Sequence, residues 1–171
     1  SYGNHIIEPA TGELASHLTG KGRMEEPEKI VEILDRFFET SKPVSGKKVL
    51  IRAGPTYAKT HPVRFIGNYS SGKMGFALAE ACAEAGAEVM LVAGPVSLKT
   101  NHSSIDRIDV ESAEEMYRAV LSEYDRSDIA IMCSAVADDA PETESDGKLK
   151  RTGEDRILRL RPNPDIAAEL G

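Results

Sequence analysis

Apolar residues along this chain fall into two rhythms. Behind Pro27, the positions Ile30, Val31, Ile33, Leu34, Phe37 and Phe38 recur at helical spacing, with acidic residues in the first turn, and predict a helix. Residues 1–24, rich in Gly, Thr and His, show no sustained period, and SKPVSG (41–46) reads as a linker of breaker residues. From Lys47 the pattern becomes strand, loop, helix, strand. KKVLIRAG predicts a strand ending at Gly54-Pro55, MGFALAEACAEAGA (74–87) an Ala-rich helix closed by Gly86, and AEVMLVAGP a second strand ending at another Gly-Pro. IDRIDV (105–110) alternates as a short third strand, and ESAEEMYRAVLSEY (111–124) predicts a helix capped by Ser112. DIAIMCSAVAD (128–138) is a continuous apolar run, as expected of a strand buried on both faces. RILRLR (156–161) alternates like an exposed strand. NPDIAAEL then opens a helix with Asn163 as its cap and Pro164 in its first turn. That helix has barely begun at Gly171, so the chain is expected to be truncated at its carboxyl end.

Strands separated by helices at this spacing predict an α/β fold: a Rossmann-like, doubly wound, mainly parallel sheet with helices on both faces. Ligands of such sheets bind beyond the carboxyl ends of the strands. The loops at 54–73, 94–104 and 138–153 are therefore the ones expected to carry chemistry.

Composition narrows the partners. A chain of 171 residues suits a single main domain with room for a real core. A net charge of −7 argues against a nucleic-acid or membrane surface, both of which need clustered positive charge. No apolar run approaches the ~20 residues of a bilayer span, and the N-terminus has no signal-peptide pattern. Cys82 and Cys133 lie far apart in apolar segments and read as buried free thiols. A soluble cytoplasmic protein is expected. The histidines at 5, 17, 61 and 102 are scattered without metal-ligand spacing, and no protein-held metal site is expected.

GNYSSGKMG (67–75) nearly spells a phosphate-binding P-loop, G-x-x-x-x-G-K-[ST]. Met74 stands where the magnesium-binding hydroxyl belongs, and residues 54–67 separate the loop from its strand, so a standard P-loop is not expected. Asn68, Ser70, Ser71, two glycines and Lys73 still precede a helix N-terminus, where free amides and the dipole suit an anion. An ordinary Ser-rich helix cap explains the same residues. Arg64 lies four residues upstream and suits a carboxylate or phosphate, or else is a solvated surface arginine. Asp138 ends the apolar run where a carboxylate could read a base amino group, hold a metal, or merely cap a helix. Lys148 and Lys150 follow in an acidic loop that either flanks the ligand crevice or is simply solvated. No G-x-G-x-x-G follows any strand, which demotes a dinucleotide-dependent oxidoreductase.

Taken together, AGPT…HPVRFIGNYSSGKMGFALA, VAGPVSL, CSAVAD, GKLKR and NPDIAAEL resemble, in order, the motifs of phosphopantothenate–cysteine ligase, the second domain of the bacterial bifunctional coenzyme A biosynthesis protein. Residues 8–40 resemble the carboxyl end of the partner domain, a flavin-dependent phosphopantothenoylcysteine decarboxylase. The resemblance divides the chain into a decarboxylase tail and helix (1–40), a linker (41–46) and the amino-terminal part of the ligase domain (47–171). It implies ligation of 4′-phosphopantothenate to cysteine through an acyl-cytidylate, with CTP as substrate and Mg2+ as its counterion. FMN would belong to the decarboxylase domain, whose body is absent from the sequence. A homodimer is implied, and a higher oligomer in the full bifunctional protein.

Residue by residue, the resemblance gives catalysis to Asn68, Lys148 and Arg64, with Asn68 holding the acyl-cytidylate and Lys148 on a mobile loop over the triphosphate. It gives nucleotide contacts to Gly54, Ser70, Ser71, Gly72, Asp138, Lys148 and the turn Asn163-Pro164-Asp165-Ile166. Arg64, Asn68 and Ala135 fall to the phosphopantothenate side. Four positions depart from the family pattern: Arg52 for a threonine, His61 for an acidic residue, Ser134 for an alanine and Asp139 for an aromatic residue. Ser16 lies where some decarboxylases carry a catalytic cysteine, so no decarboxylase activity is assigned. The sequence leaves open the choice between CTP and ATP, and between a working ligase and a fragment that binds nucleotide or phosphopantothenate without turnover.

Overall fold

A computed structural model describes residues 6–13, 19–40, 42–149, 153 and 155–170. His5, Ser16, His17 and Lys150 lie outside them. The chain divides into two compact units, Ser1–Pro43 and Val44–Gly171.

In the first unit, β1 (Ala10–Glu13) and β2 (Thr19–Arg23) pair antiparallel, and α1 runs from Pro27 to Thr40. The helix follows its apolar spacing, and Phe37 and Phe38 meet edge to face at 5.4 Å. The hairpin escaped the sequence pattern because the segments ATGE and TGKGR carry no alternation; backbone pairing alone defines it.

The second unit is built on four parallel strands in the order β7-β6-β3-β8, namely Ile105–Asp109, Glu88–Ala93, Lys48–Ala53 and Ile129–Met132. The fold is Rossmann-like α/β. Side chains alternate across each strand, and the two faces bury different helices. Val49, Ile51, Ala53, Val89, Leu91 and Ala93 pack with Phe76, Ala79 and Ala83 of α2 (Lys73–Glu84). Leu50 and Val92 face Met116 and Val120 of α3 (Ala113–Tyr124), together with Ile166 of the short α4 (Ile166–Glu169). The period of 2 places Arg52 on this second face, at the carboxyl end of β3. Ser112 caps α3 as expected: its hydroxyl accepts from Glu115 N at 3.1 Å, and the Glu115 carboxylate accepts from Ser112 N.

Chain order reverses between β3 and β8. From β3 the path crosses through α2 to β6 and β7 on one side, and α3 returns it to β8 on the other. Such a reversal opens a crevice outside the carboxyl ends of the two strands.

Three sequence expectations are corrected here. The run 128–138 is not a strand buried on both faces. β8 is an edge strand of only four residues and Ile129 is 40% exposed; beyond it the pairing with β3 thins to an isolated bridge at Ala135, while Ser134 and Val136 to Asp138 line a cavity. Of RILRLR, only its last two residues join a strand, β10 (Leu160–Pro162), which pairs with β9 (Asp139–Pro141). The cap of the last helix is Asp165 rather than Asn163. Its carboxylate accepts from Ala167 N and Ala168 N at 3.0 and 3.2 Å, leaving Pro164 outside the helix. The loop 54–73 also holds an unanticipated antiparallel hairpin, β4 (Tyr57–His61) and β5 (Arg64–Gly67), with Tyr57 stacked on Phe65 at 3.8 Å.

Candidate functional site

The strand β3 ends in Gly54-Pro55-Thr56, and this short segment organises the crevice. Ala135 N donates to Gly54 O at 2.8 Å, Thr56 N donates to Ala135 O at 3.2 Å, and Pro55 bridges to Ala135 in parallel sense. Thr56 is fully buried, and its hydroxyl accepts from Ala137 N at 3.0 Å. These bonds turn the apolar run after β8 into a loop held along the carboxyl ends of the strands. A threonine with no exposure in a Gly-Pro-Thr turn is a structural residue that motif reading passed over.

The Gly67–Gly75 loop closes onto the same segment. Asn68 donates through Nδ2 to Ala135 O and Val136 O, both at 3.3 Å, although the side chain itself is exposed. Gly72, at φ 74°, caps α2, and a Cβ there would stand 3.4 Å from Gly54 Cα. Ser70 turns back to the loop: its N donates to Asn68 O at 2.9 Å, and its hydroxyl accepts from Gly72 N at 3.4 Å. No side chain caps the helix and its first turn holds no acidic residue, so the first amides of α2 have neither a capping side chain nor a neighbouring carboxylate on their own turn. Gly54, Asn68, Ser70, Gly72 and Ala135 therefore form one hydrogen-bonded and packed cluster. Ser71 is exposed beside it.

Across the crevice, the turn after β10 docks on the same loop. Asn163 N donates to Asp138 O at 2.7 Å, and Asn163 Nδ2 donates to Ala137 O at 2.8 Å. Asn163 is thus a strut between two segments. Asp138, Asn163, Pro164, Asp165 and Ile166 line a cavity of about 360 Å³, with Val136, Ala137, Arg52 and Ser134 completing its wall. Of the six residues expected at the nucleotide from Asp138 onward, five converge there, and Lys148 is not among those lining the cavity.

Arg64 and Lys148 belong to another neighbourhood, and no hydrogen bond joins their side chains to the Asn68 cluster among the described residues. Both act on His61, as does Arg156. His61 is 1% exposed; Val63 N donates to its Nδ1 at 3.3 Å, so the ring proton sits on Nε2, which is buried without a partner. Burial, followed by the fields of Arg64, Arg156 and Lys148, holds the imidazole below its ordinary pKa. His61 therefore sits where the fields of three cations reach it, on a hairpin whose Lys59 is paired with Glu111.

A folded-state pKa below the unfolded value of about 6.5 makes protonation costly in the fold. The stability His61 contributes is complete above that pH and is lost as pH falls through the unfolded value toward the depressed folded one. We expect the wild-type Tm to fall between pH 7 and pH 5, and His61→Leu to reduce that fall. Equal slopes in the two proteins would show that His61 does not titrate against the fold.

Among the described residues, the buried side-chain polar atoms lacking any hydrogen-bond partner are Arg52 Nε, Ser134 Oγ and His61 Nε2. Two of the three border the cavity beside Asp138. Burial lowers the pKa of Arg52, and Asp165 partly offsets this. Among these residues no cluster of His, Cys, Asp and Glu is placed to hold a metal ion, and no helix is long and apolar enough to cross a membrane.

Fold and crevice together define a Rossmann-like α/β domain with an anion-suited helix start and a polar cavity at its switch point. The chain belongs to the family of the DNA/pantothenate metabolism flavoprotein C-terminal domain, whose model matches residues 44–171. Over its whole length it is 56% identical to a cysteine/cysteine sulfinic acid decarboxylase from an unknown prokaryotic organism, covering 49% of that protein. It is 50% identical to the coenzyme A biosynthesis bifunctional protein CoaBC of Bacillus subtilis (strain 168), over 97% of this chain and 41% of that protein. The chain thus spans between two-fifths and half of the curated relatives it matches. Among solved structures, the C-terminal domain of a coenzyme A biosynthesis bifunctional protein CoaBC superposes with a TM-score of 0.66 at 40% identity. That match covers 77% of this chain and 61% of the other.

Proposed function

We propose that this chain carries the nucleotide side of a coenzyme A biosynthesis ligase, joining 4′-phosphopantothenate to cysteine with CTP. The observation that supports it most is the meeting of Asp138 and Asn163 to Ile166 at one cavity whose wall residue Val136 is bonded through its carbonyl to Asn68. The CoaBC relatives at 40–50% identity supply the chemical context.

A carboxylate resists attack by an amine, so it must first gain a leaving group. In the first step, the 4′-phosphopantothenate carboxylate attacks the α-phosphorus of CTP, forming acyl-cytidylate and expelling pyrophosphate. In the second step, the cysteine amine attacks the acyl carbon, and CMP leaves as the amide forms. Asn68, held on two carbonyls through Nδ2, keeps Oδ1 and its loop in register to orient the acyl-cytidylate. Ser71, Gly72 and the free amides of α2 face developing phosphate charge, while Arg64 and Lys148 supply cations. Asp138 and the 163–166 turn hold the nucleoside. Mg2+ would ride on the triphosphate oxygens and water, since the described residues offer it no protein cage. A cytoplasmic homodimer, with higher assembly in a bifunctional whole, belongs to the same reading. The exposed apolar side chains of Val63, Phe65, Ile66 and Tyr69 on and beside the hairpin suit such a contact.

The test is CMP release from CTP, assayed with ATP in parallel. The ligase reading expects release that requires both 4′-phosphopantothenate and cysteine. CMP formed without either substrate, or none formed by a protein that binds neither CTP nor acid, would sink it. Calorimetric binding of CTP without pyrophosphate release would identify the second reading, a nucleotide-binding portion that does not turn over alone. That reading draws on the chain spanning only 41% of the Bacillus relative.

A further inference from the structure

The cavity beside Asp138 contains two polar groups that the fold leaves unsatisfied. Arg52 projects from the last turn of the β3 pleat onto the α3 face, and Ser134 comes from the loop after β8. Arg52 Nε and Ser134 Oγ are buried without hydrogen-bond partners, and both residues line the cavity with Asp138, Asn163 and Asp165. An unpaired buried donor destabilises a fold, so a native protein that keeps two at one cavity wall invites a ligand-based reason.

The wall chemistry selects among ligands. A phosphate would meet the guanidinium but would also face two carboxylates, Asp138 and Asp165. A ring edge with acceptors beside one amino donor meets no such conflict. Cytosine offers that edge: a ring carbonyl oxygen and an imine nitrogen accept, and the exocyclic amine donates. A planar guanidinium fork matches two adjacent acceptors, and a carboxylate takes the amine. Adenine flanks its amine with ring-nitrogen acceptors but has no carbonyl and no two acceptors side by side along one edge, and the ring of uracil places a second carbonyl where a carboxylate would repel it.

We propose that Arg52, assisted by Ser134, is the base-selecting residue of this cavity, donating to the acceptor edge of cytosine while Asp138 accepts from its amino group. The inference rests on the nucleotide reading above and adds its source of preference for CTP over ATP and UTP. Arg52 is a specificity residue; it takes no part in bond making.

The experiment is calorimetry of the wild type, Arg52→Met and Ser134→Ala with CTP, ATP, UTP and inorganic tripolyphosphate, alongside thermal unfolding without ligand. Arg52→Met keeps the volume and removes every donor. The CTP-to-ATP affinity ratio should fall roughly tenfold to a hundredfold, with tripolyphosphate affinity unchanged. The ligand-free Tm should rise roughly 2–4 °C, because a buried unpaired donor is gone. Ser134→Ala, too small a change to unfold the protein, should lower the ratio less. An unchanged ratio in both variants overturns the inference while leaving the ligase reading intact, since the wild type still binds CTP. Loss of tripolyphosphate binding in Arg52→Met, with the ratio unchanged, assigns Arg52 to phosphate and also overturns it. A wild type that binds no nucleotide overturns both.

Discussion

Replacing Asn68 with alanine is expected to lower ligation turnover by roughly 10²–10³-fold, chiefly in kcat, with little change in Tm. The side chain is exposed, so its removal creates no cavity. What it removes is the tie from the Gly67–Gly75 loop to Ala135 O and Val136 O, each at 3.3 Å. Those carbonyls belong to the segment that lines the cavity beside Asp138, so one amide couples the loop before α2 to the nucleoside wall. A loop displaced by an ångström would leave the acyl group and α-phosphorus bound but out of line, a fault that appears in kcat before KM. Asn68→Asp is the sharper variant. It is nearly isosteric, yet it places a carboxylate against two carbonyl oxygens and must swing away, so its turnover should be no better than that of alanine. The check is steady-state CMP release with saturating acid and cysteine, paired with calorimetry of CTP. Unchanged turnover in both variants would remove Asn68 from the site.

Much of the scaffold could be read from the sequence because its signals are local. The positions of β3, β6, β7 and α3 follow from apolar runs, the alternation of IDRIDV, a Ser112 cap and paired Gly-Pro stops. The β4–β5 hairpin was hidden because its register is set by a Tyr57–Phe65 stack across the pair and by a bulge between Lys59 and His61, neither of which leaves a period. The length of β8 was overread for a different reason. Apolarity alone cannot tell a central strand from an edge strand continued by a loop, and hydrogen bonds to distant Thr56, Asn68 and Asn163 decide where the ladder stops. The candidate site divides the same way. Asn68, Ser70 and Gly72 are neighbours in sequence and were found together, while the meeting of Asp138 with Asn163 to Ile166 came only through motif resemblance. Arg52 and Ser134 stood out only as departures from a pattern. That both border one cavity with unsatisfied polar atoms is a property of the sheet's pleat and the crossover, which no linear reading supplies.

Gly94→Ala is expected to have the largest effect on stability, about 4 kcal/mol or more, enough to abolish folded protein at growth temperature. Gly94 follows β6 in the second Gly-Pro stop, and its N–H donates to Ala53 O at 2.8 Å, extending the parallel ladder to the carboxyl end of β3. There the chain of β3 turns through Gly54-Pro55-Thr56 toward Ala135, and its backbone crosses over Gly94. A Cβ at this position would lie 1.7 Å from Pro55 O and 2.8 Å from Pro55 C. The obstruction is main chain and cannot rotate aside as a flexible side chain would. Relief requires moving Pro55, which carries the bridge to Ala135, the adjacent Thr56 bond to Ala137 N, and the seat of the Asn68 loop. Gly54→Ala makes a useful contrast: its Cβ would meet Val96 Cγ1 at 3.1 Å, a side-chain atom, but its φ of 80° adds backbone strain, so a smaller loss from a different cause is expected. Soluble yield and urea unfolding of the two variants separate the cases. A Gly94→Ala protein that expresses and unfolds like the wild type would mean that the strand ends do not approach as closely as the packing requires. The crevice would then lose its floor, because the same crossing that forbids a Cβ at Gly94 is what brings Gly54 and Ala135 within a hydrogen bond of each other.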